Sequence, residues 1–193
     1  MKNSLALRGR LRMKENVTYV LKDKNGQVKP IFQENWLFKF LMKYGIVSPR
    51  FAKIPLLLGY WSTQKIISNL VTNAGMAGVA SRVNGDGSEA AFTYIAVGVG
   101  TTAAAAADTT LESETTTAGL SRAAATTSRV TTDVTNDTAQ LAKTFSATGA
   151  IVVTESGVLN AAAAGVLLAR QVFAAITTAN GDSLTITWRF DID

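Results

Sequence analysis

The stretch Leu184-Thr185-Ile186-Thr187-Trp188-Arg189-Phe190-Asp191-Ile192 decides the fold class. Its five apolar residues alternate with Thr185, Thr187, Arg189 and Asp191, and successive side chains of a strand face opposite sides. One face therefore meets a core and the other meets water.

Working backwards from this stretch, further strand-like runs stand at 166–173, 151–154, 140–147, 122–134 and 92–99. Turn signals separate them: Asn180-Gly181-Asp182, Ser156-Gly157, Asn136-Asp137 and Asn84-Gly85-Asp86-Gly87. Short strands punctuated in this way predict a mainly β fold, an antiparallel β-sandwich or jelly-roll-like module, rather than a parallel α/β sheet. One short helix is predicted over 74–83, with Asn73 as its cap and Asn84-Gly85 as a left-handed stop. Its Ala and Gly residues permit a close approach to a sheet. The segment Gly100-Thr101-Thr102 and the five alanines after it read as a loop leading into one helical turn at 108–114.

The front of the chain differs in chemistry. Residues 1–65 hold thirteen Lys or Arg against three acids, whereas 66–193 hold six against eleven, so a net charge of +10 is followed by one of −5. Aromatic residues crowd the same region: Trp36, Phe38, Phe40, Tyr44, Phe51, Tyr60 and Trp61. Two short strands are predicted there, 17–21 and 28–32, joined through Asn25-Gly26, and Pro30 must place the second at an edge or break it. Residues 36–42 can make two helical turns, while Pro49 and Pro55 interrupt any longer helix and leave 48–61 extended. This gives a basic, aromatic-rich attachment region over 1–70 and a β-sandwich module over 71–193.

Much catalytic chemistry is excluded at once. The chain has no Cys and no His, hence no thiolate nucleophile, no thiol-built metal site and no imidazole base. Gly98-Val99-Gly100 lacks the third glycine of a dinucleotide loop, and no Gly-Lys-Ser/Thr follows it. Glu112 with Glu114, and Asp133 with Asp137, lie among Thr and Ser and read as solvated loop charges rather than an acid–base pair. Asp133 and Asp137 do not match a calcium loop. No catalytic residue, cofactor or metal site is assigned, the expectation is a protein that is not an enzyme, and no stretch reads as a signal peptide or membrane anchor.

Candidate partner-binding residues are the alternating cations Arg8, Arg10, Arg12 and Lys14, which share one side if the segment is a strand, and the rings Trp36, Phe38, Phe40, Phe51, Tyr60 and Trp61. The cations suit a protected edge strand, an acidic protein face or, less readily, nucleic acid, since no base-stacking rings interleave them.

The run Phe92-Thr93-Tyr94-Ile95-Ala96-Val97-Gly98-Val99-Gly100-Thr101-Thr102, then Asp108-Thr109-Thr110-Leu111, resembles a module of tailed-bacteriophage virion proteins. Residues 151–161, Leu167-Leu168-Ala169-Arg170-Gln171-Val172-Phe173 and Gly181-Asp182-Ser183-Leu184-Thr185-Ile186-Thr187-Trp188 extend the likeness over about 70–193. The resemblance implies a non-enzymatic, homo-oligomeric building block of the virion, at the head surface as capsid decoration, at the head–tail connector or on the tail. Its partners would be the major shell, portal-ring or tail components. Two alternatives are a carbohydrate-binding host-recognition module and a basic-arm nucleic-acid-binding protein.

Overall fold

The computed structural model describes residues 13–46, 59–87 and 89–192. Among the described residues thirteen strands and two helices follow in chain order. The front of the chain supplies β1 (Met13–Lys22), β2 (Val28–Lys29), β3 (Ile31–Glu34), α1 (Trp36–Lys43), β4 (Gly59–Ser62), β5 (Lys65–Ser68) and β6 (Leu70–Val71). Then come α2 (Asn73–Asn84), β7 (Tyr94–Gly98), β8 (Ala123–Ala124), β9 (Thr126–Val130), β10 (Thr138–Ser146), β11 (Ile151–Leu159), β12 (Leu167–Thr178) and β13 (Ser183–Ile192).

The fold is mainly β, and among the described residues every strand pair is antiparallel. One sheet runs β2-β1-β13-β10-β9, with β5 also on the outer edge of β1; a second runs β6-β12-β11-β7-β8; β3 and β4 form a small third sheet. The stretch quoted first is β13, set between β1 and β10. Leu184, Ile186, Trp188 and Phe190 are buried as the alternation requires, but the last step inverts: Asp191 is buried and Ile192 exposed. Thr138 Oγ1 donates to Asp191 at 3.2 Å, which satisfies part of that carboxylate.

Side chains of both large sheets fill one core. Val17, Tyr19, Leu141, Phe145 and Trp188 come from the first, and Ile95, Val97, Val153, Val158 and Phe173 from the second. Trp188 Nε1 donates across it to Ser156 Oγ at 3.2 Å. The Tyr19 hydroxyl has no hydrogen-bond partner of normal geometry among the described residues. Burial pushes its pKa well above the ordinary value, the charge of Glu34 adds to this, and the nearby Ser156 offsets a part.

The division at residue 70 is corrected by this core. β1 pairs with β13 along ten residues, from Met13 opposite Ile192 to Lys22 opposite Ser183. Val17, Tyr19, Leu21, Ile31 and Ile67 sit in the same cluster as the later strands. Stripping the first 65 residues would expose β13, so the front is an integral part of the sandwich.

Pro30 acts as its missing N–H demands. β2 pairs with β1 before it, and β3 turns away to pair with β4 after it. Gly26, at φ +80°, sits in the turn between β1 and β2.

α2 is capped by Thr72 rather than Asn73: the Thr72 side chain accepts from Gly75 N at 2.9 Å, and Gly85 ends the helix at φ +70°. Gly75 lies against β12 so closely that a Cβ there would stand 2.2 Å from the Leu168 carbonyl oxygen. No helical turn forms at 108–114. Asp108 and Glu112 of that segment are instead drawn to Arg170 and Glu114 to Arg122, and the chain follows them.

Candidate functional site

α1 and β4 both pack on β3 as a flap, and both carry exposed rings. Asn35 starts the helix, its Oδ1 accepting from Phe38 N at 3.0 Å. Phe38 is fully buried and meets Phe32 edge-on at 5.9 Å, with Ala174 in the same cluster. Trp61 meets Phe32 from β4 at 5.8 Å and 72°. Phe32 is thus the hub that fixes both elements.

Outward, Trp36, Phe40 and Tyr44 recur every fourth residue and form one stripe on the helix. Trp36 is 76% exposed and Tyr44 60%, and the Phe40 and Tyr44 rings lie 4.8 Å apart. Tyr60 and Trp61 on β4 are 62% and 54% exposed. Lys39 and Lys43 stand exposed on the same helix, and Lys43 Nζ lies 5.9 Å from the Tyr44 ring centre. Such a concentration of exposed rings exceeds the scattered apolar residues of an ordinary surface.

Beneath the flap lies an ion pair with no access to water. Lys65 Nζ donates to Phe32 O at 2.7 Å, to Glu34 Oε2 and to Ala174 O at 3.4 Å. Glu34 Oε1 accepts from Ala174 N at 3.3 Å. Burial lowers the pKa of Lys65 below the ordinary lysine value, and Glu34 opposes that shift. The pair joins β3, β5 and β12, so it anchors the flap to the sandwich.

A second polar cluster covers the other large sheet. Arg170, on β12, bonds Glu155 and Asp108, each at 2.8 Å, and Glu112 at 3.3 Å. Glu155 also accepts from Gly100 N, Glu112 N and Ser113 N. Glu112 further accepts from Thr102 N at 2.7 Å, which heads the causes lowering its pKa. Glu114 pairs with Arg122. These contacts correct the reading of Glu112 and Glu114 as merely solvated: they clamp the 100–114 loop over β11. Asp137 is held by the N–H groups of Val134, Thr132 and Asp133, which drive its pKa far down.

Of the sequence-derived candidates, Trp36, Phe40, Tyr60 and Trp61 are exposed on the flap. Phe38 is corrected: it is a core residue and presents nothing to a partner. Arg8, Arg10, Arg12 and Phe51 lie outside the described residues, and Lys14 stands in β1 opposite Asp191. Tyr44, Lys39 and Lys43 are exposed beside these rings although sequence reasoning did not select them; the available signal was helical spacing, Lys39 three residues after Trp36, and Lys43 and Tyr44 three and four after Phe40. The Glu34–Lys65 pair was also missed. Its trace in the sequence is inverted polarity, with Lys65 inside and Ile66 outside.

No family model matches the chain, and neither a curated protein nor a solved structure matches it. Among the described residues no helix is long and apolar enough to cross a membrane.

Proposed function

We propose that the chain is a non-enzymatic structural protein of a tailed-phage virion, docking onto the head, neck or tail through the exposed aromatic and cationic residues of α1 and β4. The observation that carries this reading is the exposure of Trp36, Phe40, Tyr44, Tyr60 and Trp61 on a flap firmly rooted in the core. Trp and Tyr bury large areas at small entropic cost, and they dominate binding energy where a partner covers them. Lys39 and Lys43 steer docking towards an acidic protein surface.

A structural role also suits the acids. Glu34, Glu155, Glu112 and Glu114 are each engaged by a cation, which leaves them poorly placed to move protons for a substrate. The carbohydrate alternative called for exposed rings on the later strands, where Trp188 is fully buried.

The test is composition. The full chain is expected in gradient-purified particles of the source phage, at a fixed ratio to the shell protein, by quantitative mass spectrometry. Its absence from intact particles contradicts the proposal.

A further inference from the structure

We infer that copies of this chain assemble head to tail, with the 131–137 loop of one copy seated in the groove beneath α1 of the next. The inference rests on the assembly reading above and names one partner for that region: a second copy.

The groove has a volume of about 510 Å³ and runs between α1, β6, β12 and the loop that starts at Thr101. Met42, Leu70 and Val172 give it apolar walls, and Lys39 and Lys43 line it as exposed cations. Among its described lining residues the one acid, Glu34, is already neutralised by Lys65. An occupant with an apolar tip and a negative charge beside it matches these walls and cations.

The chain carries such a feature itself. Between β9 and β10, Val134 is 68% exposed, and Asp133 next to it is exposed without a cation bonded to it among the described residues. Asp137 holds the loop in shape by accepting from Thr132 N at 2.9 Å and Asp133 N at 2.8 Å. A loop fixed in advance loses little entropy when it docks.

Topology keeps the two features apart in one copy and makes them available between copies. The groove lies on β6 and β12 of the second sheet, and β6 follows β5, which pairs with the outer edge of β1 in the first. The 131–137 loop follows β9, at the opposite edge of that first sheet. Unlike surfaces on opposite edges form a heterologous contact, which repeats from copy to copy and closes into a ring when the rotation allows.

Sedimentation of the full chain over a range of concentration and salt tests the contact. Wild type is expected to associate with rising concentration, and less so with rising salt. Lys39→Glu with Lys43→Glu, and separately Asp133→Lys, should each weaken association at least about tenfold while circular dichroism stays unchanged. If the double reversal disturbs folding, Lys39→Gln with Lys43→Gln serves instead, with weakening again expected. Joining all three reversals in one chain should restore association, because both sides of the contact then carry the opposite sign. A wild type that is monomeric throughout, indifference to both reversals, or a triple variant no better than its parents overturns the contact. A monomer that still joins particles overturns it too, while leaving the docking role of Trp36 and Trp61 standing.

Discussion

Trp61 rests edge-on against Phe32, ring centres 5.8 Å apart, so an exposed aromatic is mounted directly on a buried one. Phe32 in turn meets Phe38. The geometry separates two kinds of ring on the flap, those that hold it and those that it displays, and the two respond differently to truncation.

Phe38→Ala should cost about 3–5 kcal/mol, because it removes a fully buried ring and leaves a cavity. Trp36→Ala, at an exposed site on the same helix, should stay within about 0.5 kcal/mol of wild type. Urea denaturation of the two variants checks the contrast, and equal losses would mean that Trp36 is structural.

The buried pair predicts an asymmetry between single and double replacement. Lys65→Met alone leaves Glu34 without its cation and should cost about 3–5 kcal/mol, whereas Lys65→Met combined with Glu34→Leu should recover most of that loss. Denaturant midpoints of the two variants provide the comparison.

Tyr19→Phe should be neutral or stabilising near neutral pH, since the hydroxyl is buried without a partner among the described residues. Its folded pKa is raised, so above the ordinary tyrosine value of about 10 the unfolded chain loses this proton before the folded one does. The stability linked to Tyr19 is therefore fully present below about pH 10 and falls as pH rises beyond it. Melting temperatures should show wild type losing stability faster than Tyr19→Phe in that range. Lys65 acts in the opposite sense, because its lowered pKa makes the unfolded chain the one that binds more protons as pH approaches about 10.4. Comparing Tyr19→Phe with wild type cancels the Lys65 contribution.

Arg170→Met should release the 100–114 loop. Glu155 would keep its backbone donors but lose its only cation among the described residues. A cost of about 3–5 kcal/mol is expected, with faster amide hydrogen exchange at Gly100, Glu112 and Ser113 than elsewhere in the fold. Uniform exchange over the whole chain would show that the clamp is not local.

What the sequence made legible follows from which faces are wet. β13 was readable because its alternate residues meet solvent, and the turn at Gly26, the break at Pro30 and the stop at Gly85 announce themselves through backbone chemistry. β11 was cut short at residue 154 because Thr154, Glu155 and Ser156 are polar yet buried: one face meets the core, and the other lies beneath the 100–114 loop. A pattern rule that equates polar with exposed cannot see this strand. The Arg170 cluster was hidden for the same reason, its members being 15 to 62 residues apart in the chain. On the flap, composition marked the region, but only packing could separate Phe38 from Phe40.

If the exposed rings mediate docking, Trp36 and Trp61 carry the attachment of the chain to a particle. Full-length chain and the Trp36→Ala/Trp61→Ala variant, shown to melt alike, are offered in equal amounts to particles assembled without the protein, and occupancy is read after sedimentation. Wild type is expected to bind to saturation and the variant to lose at least about tenfold in affinity. Equal occupancy of the two would contradict docking through these rings.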